Sequence, residues 1–161
     1  MKYLDLKYLE LKCPPPIVML LSGMLAWFVA QTDVEFLQQQ LMVAENLFWF
    51  LLFVIVGISL ALAGVKEFKQ HQTTINPLDP RQTSSLVSSG VYQFTRNPMY
   101  LGMLLVLLGW ADLLDTILAF SGAAVFFIYI SMFQIKPEEE MMTEKFEQDF
   151  IQYCSKVRRW L

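Results

Sequence analysis

Two short strings hold most of the residue types in this chain that can do chemistry. The first is Ser88-Ser89-Gly90-Val91-Tyr92 followed by Arg96-Asn97-Pro98-Met99-Tyr100; the second is Lys136-Pro137-Glu138-Glu139-Glu140. Asn97 precedes a proline, so it is pushed out of the helical region and suits the cap of a helix beginning at Pro98. Such a helix start offers free backbone N–H groups and a positive dipole end, which favour a carboxylate. Arg96 beside it adds a forked donor for the same anion. Gly90 suits a turn with positive φ. Tyr92 and Tyr100 supply aromatic faces for an adenine or a sulfonium cation. Glu138 or Glu139 can pair with Arg96, hold an amine or a ribose, or act as base towards an amine. A plainer account stays open beside this one. Arg96 then only stops a membrane span, the tyrosines belong to an interfacial belt, and the acids begin a solvated helix.

Other chemistries have little to stand on. His71 is the single histidine, and Cys13 and Cys154 lie at opposite ends without metal spacing or a redox pair. No metal site is expected, and both thiols are expected to be free. The formal charge of −3 gives no basic character to suggest a nucleic-acid partner.

The elements that must position these strings are membrane helices. Apolar residues make up 55 % of the 161-residue chain and charged residues only 17 %, against roughly 25 % charged in a soluble domain. A soluble protein of this size leaves too much surface wet to hide that apolar fraction. Apolar runs place spans at Pro15–Ala30 and Leu47–Val65, and a tight helical hairpin at Met99–Ala111 and Thr116–Gln134. The twelve Lys and Arg residues fall three in 1–13, four in 66–97 and five in 135–161, with none in 31–46 or 112–115. The positive-inside tendency then puts both termini and the middle loop on the cytoplasmic side of a bacterial inner membrane. The expected fold is all-α: a single domain, an integral membrane bundle of about four transmembrane helices. Residues 1–65 form an interfacial helix and two spans; 66–161 form a cytoplasmic loop, the hairpin and a C-terminal helix. In that helix Met142, Phe146, Phe150 and Tyr153 share a face, to lie on the bilayer or on the loop. Val157-Arg158-Arg159-Trp160 reads as a basic, aromatic interface anchor.

Together these strings resemble the isoprenylcysteine carboxyl methyltransferase family in its bacterial branch, which is related to the phospholipid methyltransferases. The matching residues are Thr74-Ile75-Asn76-Pro77, Leu86-Val87-Ser88-Ser89-Gly90-Val91-Tyr92, Arg96-Asn97-Pro98-Met99-Tyr100-Leu101-Gly102, Pro137-Glu138-Glu139, Phe146, Tyr153 and Val157-Arg158-Arg159-Trp160. The resemblance covers about residues 66–161 and implies a cytoplasmic pocket for S-adenosylmethionine, closed by the loop and the C-terminal helix. It also implies a route from the bilayer for a lipophilic or small-molecule methyl acceptor. By position it assigns Asn76, Leu86, Val87, Gly90, Tyr92, Asn97, Pro98, Met99, Tyr100 and Glu138 to the cofactor, and Arg96, Glu138 and Glu139 to catalysis. Two departures stand out. Relatives usually have glycine where this chain has Glu147, and an arginine that the family links to the prenylcysteine carboxylate has no counterpart near Gln134–Lys136. The second weighs against a prenylcysteine substrate. Methyl transfer from a sulfonium needs alignment and desolvation rather than a metal or a covalent residue. The rival readings are an NADPH-dependent membrane reductase of the sterol reductase type and a non-enzymatic membrane scaffold.

Overall fold

A computed structural model describes residues 9–33, 44–72 and 83–161. Its helices are α1 (Pro15–Ala30), α2 (Ala44–Gln70), α3 (Pro98–Leu113), α4 (Phe120–Ile130) and α5 (Lys136–Lys156). The described residues contain no strand, so the all-α expectation holds. α1 begins where the prolines dictate, with Pro15 and Pro16 in the first turn, where a missing N–H costs nothing. α2 runs further than its apolar core in both directions, to Gln70 on the side of the loop.

The bundle pairs α2 with α3 and α1 with α4. Between α2 and α3 the backbones come close because glycines face each other. A Cβ on Gly102 would collide with the carbonyl oxygen of Gly57 and sit 3.2 Å from Ala61. On its outward side α2 exposes Phe48, Ile55 and Leu62 at 63 %, 62 % and 61 %. That is the pattern of a helix facing lipid, not water. The runs Asn46–Gln70 and Ile117–Lys156 are long and apolar enough to cross a membrane, while Pro15–Ala30 and Pro98–Leu113 are apolar but shorter. At 16 residues each, the short pair reaches about 24 Å, less than a hydrocarbon core of about 30 Å.

The hairpin turns through a 3-10 segment, Ile117–Ala119, whose Thr116 hydroxyl accepts the Leu118 N–H and donates to Asp33. Beyond α4 the structure departs from expectation. The double-glutamate string does not start a new helix; a π-helical turn, Ser131–Ile135, joins α4 to α5 without a break. The apolar part of this run ends at Ile135 and the polar helix follows. A π turn shifts the helix face by one residue and is a recurrent feature of functional sites. Here it carries Gln134, only 1 % exposed, towards the bundle interior. The N–H of Leu11 reaches the Phe133 carbonyl of this turn at 3.0 Å. The interfacial helix expected for residues 1–13 lies mostly outside the described residues, and the short part described, 9–12, is a turn.

α5 kinks at Glu147, where φ is 43° and ψ −117°. That conformation is natural for glycine and strained for glutamate, by about 1–3 kcal/mol. A glycine at this place, as the resemblance implies, adopts that conformation freely. Replacing Glu147 by glycine relieves the strain and adds back roughly 0.5–1 kcal/mol of unfolded-state entropy. The variant is expected to be more stable by about 1 kcal/mol, read as a melting temperature raised by roughly 2–4 °C.

Candidate active site

The loop between α2 and α3 is strapped to the end of α2 before it reaches the site. The Ser84 and Ser85 hydroxyls donate to the Gln72 and His71 carbonyls at 3.2 and 3.3 Å. The Ser89 hydroxyl donates to Glu67 at 2.5 Å and lies 2.9 Å from His71 Nε2. Gly90 follows at φ 56°, as its sequence position suggests, and any side chain there would strike the Glu67 carboxylate. The 3-10 turn Gly90–Gln93 then points Tyr92 inward. Its ring lies 5.4 Å from Phe68, and its carbonyl accepts the Tyr153 hydroxyl at 2.7 Å. Met142, Phe146, Phe150 and Tyr153 therefore close on the loop, with Leu86 and Val87 in the same apolar cluster, rather than on the bilayer.

Asn97 stands at the cap position of α3 but does not cap it with its side chain. Its amide instead donates to the Arg159 carbonyl at 2.9 Å, a partner offered by the returning C-terminus. The Arg96 guanidinium meets Glu139 at 2.9 Å. Arg159, expected as an interface anchor, turns inward and forks onto the same carboxylate at 3.1 and 2.5 Å. Tyr100 and Gln134 both donate to one oxygen of Glu138, at 2.6 and 2.8 Å. Burial pushes the Glu138 carboxyl up to about 7, although those two hydrogen bonds pull the other way and Glu139 adds a little. Burial likewise raises Tyr92 and Tyr153 above the usual phenol range, so both keep their protons and remain donors.

Between these groups lies a cavity of about 290 Å³, at the lower edge of small-molecule sites. Of the residues singled out in the sequence, Leu86, Val87, Tyr92, Arg96, Asn97, Met99, Tyr100, Glu138 and Glu139 line it. Gly90 and Pro98 do not; Gly90 sits against Glu67 and Pro98 packs beside Gly64. Asn76 lies outside the described residues. Phe68, Met103, Met142, Phe150 and Tyr153 add to the walls, with Pro15 and Pro16 from α1. Gln134 is the neighbour that sequence reading passed over, and its spacing of four before Glu138 was the available signal. Two buried donors beside the cavity, the Tyr92 hydroxyl and Arg96 Nε, have no hydrogen-bond partner among the described residues. Buried donors are rarely left so. A ligand bearing acceptors would satisfy both. No group of three or more His, Cys, Asp or Glu among the described residues is placed to hold a metal.

The phospholipid methyltransferase family model matches residues 45–149, from α2 through the kink of α5, and the chain belongs to that family. It is thus a membrane methyltransferase by family, and the matched stretch contains both the Arg96–Tyr100 turn and Glu138. A 63-residue stretch is 44 % identical to a protein of Haemophilus influenzae described only as an uncharacterized protein, covering 39 % of this chain and all of that one. No solved structure matches significantly.

Proposed function

We propose that this chain is an S-adenosylmethionine-dependent methyltransferase of the isoprenylcysteine carboxyl methyltransferase type, acting on a lipophilic or small acceptor at the cytoplasmic face of the inner membrane. The observation that carries the reading is the cavity where the loop and α5 meet, with Arg96 Nε and the Tyr92 hydroxyl buried beside it and without a hydrogen-bond partner among the described residues. Those donors fit the carboxylate and a polar acceptor of the nucleoside, and the Leu86, Val87 and Met99 walls fit its apolar remainder. When bound, S-adenosylmethionine supplies an electrophilic methyl group on a sulfonium that leaves as a neutral thioether.

The chain's own residues do the rest. Arg96, Glu139 and Arg159 carry one net positive charge between them, and Arg96 Nε directs it towards an anionic group. Glu138, held only by neutral donors, is the local negative charge for an amine or the sulfonium. The walls of Phe68, Phe150 and Tyr153 exclude water, which strengthens these charge interactions. An amine acceptor gives up a proton as it is methylated, and Glu138 is placed to take it; a carboxylate acceptor gives up none. Sorting of the cations by segment supports the cytoplasmic orientation.

The test is transfer from methyl-labelled S-adenosylmethionine into the total lipids of the host membrane by the purified chain. Label in an organic-soluble product is the expected result. A scaffold predicts none, and a reductase predicts consumption of NADPH instead.

A further inference from the structure

The family match ends at residue 149, yet the chain's last residues are tied to the site from three directions. The Arg158 carbonyl accepts the Arg96 N–H at 3.1 Å. The Arg159 carbonyl accepts both the Asn97 amide at 2.9 Å and the Thr95 hydroxyl at 3.4 Å. The Arg159 guanidinium forks onto Glu139, which also holds Arg96. Trp160 fastens the far end, its indole N–H 3.3 Å from the Ser131 hydroxyl in the π turn and its ring 4.9 Å from Phe127. The loop turn and α5 therefore meet through a third piece of chain.

We infer that Arg159 is a positioning residue for the methyl-transfer site: its carbonyl sets the Asn97 side chain and its guanidinium sets Glu139, and through them it aims Arg96 into the cavity. The inference rests on the methyltransferase reading, and it concerns a residue that does not line the cavity. Three observations argue for alignment over a general surface tie. Arg159 is the outermost of the three charges, 40 % exposed against 14 % for Arg96 and 19 % for Glu139, so it shields the inner pair from water. Its planar fork takes both oxygens of Glu139, which fixes the plane of the carboxylate as a lysine ammonium does not. Its main chain holds the Asn97 amide, whose side chain makes no cap bond to α3.

The test uses the full chain in detergent or nanodiscs with two readouts. Amide exchange is measured first, with no ligand present. Arg159→Gln is expected to speed exchange at the Arg96 amide about tenfold, with amides within α1 unchanged. S-adenosylmethionine titration follows. Loss of a charge-assisted fork weakens binding about tenfold in Arg159→Gln, and Arg159→Lys, which keeps the charge but not the fork, stays at least about threefold weaker than the unaltered chain. Glu139→Gln combined with Arg159→Gln binds no more weakly than Glu139→Gln alone, because the two act as one unit. Additive losses in the double variant, or an unchanged Arg96 amide with unchanged affinity, overturn the inference. Failure of the unaltered chain to bind overturns the methyltransferase reading, and the alignment role with it. The exchange result separates the cases, because it reads the turn without a ligand.

Discussion

Replacing Glu138 by alanine is expected to weaken S-adenosylmethionine binding by about a hundredfold or more while the protein stays folded in detergent. Among the described residues the carboxylate is held by neutral groups, the Tyr100 hydroxyl and the Gln134 amide. Removing it deletes the counter-charge for a cation in the cavity and takes the shared acceptor from two buried donors. A charge-assisted contact and an unsatisfied donor each contribute about 1–3 kcal/mol, and every 1.4 kcal/mol is about tenfold in affinity. Tyr100→Ala acts through the same carboxylate and is expected to lose binding comparably.

The same residue gives two opposite pH trends. The Glu138 carboxyl titrates near 4.5 when unperturbed and near 7 in the folded protein. Between those values the folded state holds more protons than the unfolded one, so the unfolding free energy falls as pH rises and levels above about 7. The fall amounts to on the order of 3 kcal/mol. Binding of a cationic group by the ionised carboxylate strengthens over the same interval. Glu138→Gln, which cannot ionise, is expected to flatten both curves, as seen in melting temperatures and titrations at about pH 5, 6, 7 and 8.

A valine at position 102 is expected to be among the most damaging single changes to the scaffold. Even a methyl group there strikes the Gly57 carbonyl, and a backbone atom in a helix cannot swing aside as a side chain can. Overpacking costs about 1–3 kcal/mol where neighbours can yield; with backbone atoms of Gly57 and Ala61 in the way the upper end applies. For a chain of this length that is a melting temperature lower by roughly 6–12 °C. Activity is expected to fall as well. α3 separates from α2 at a point only two residues from Tyr100, and Pro98 and Met99 pack on Gly64 of α2. A variant melting within about 2 °C of the original and retaining full activity would remove this account of the helix pair.

Much of the fold is legible in the sequence, and for identifiable reasons. Three consecutive prolines followed by an apolar run define the start of α1, because proline belongs only in a helix's first turn. Gly90 was readable as a positive-φ turn, and the strings around Arg96 and Glu138 were readable as two halves of one site on one face of the bundle. Partners within the site were not. That Arg96 meets Glu139 and not Glu138 depends on a π turn, and no propensity announces the one-residue shift it makes in the helix face. The Asn97 side chain was read as a cap from local preference; a carbonyl 62 residues away won it. Arg159 and Trp160 looked like an interface anchor by composition, since their inward partners are distant in sequence. Glu147 is the reverse case. Its departure from glycine was visible in the sequence, and the positive φ shows what that departure costs.

In the proposed reading the loop and α5 close around an adenosyl sulfonium. Its most direct test is calorimetric titration of the purified chain with S-adenosylmethionine at about pH 8, with Glu138→Ala and Tyr100→Ala as references. One saturable site in the unaltered chain and none in either variant is the predicted result. No heat with the unaltered chain, or undiminished binding in both folded variants, would contradict it.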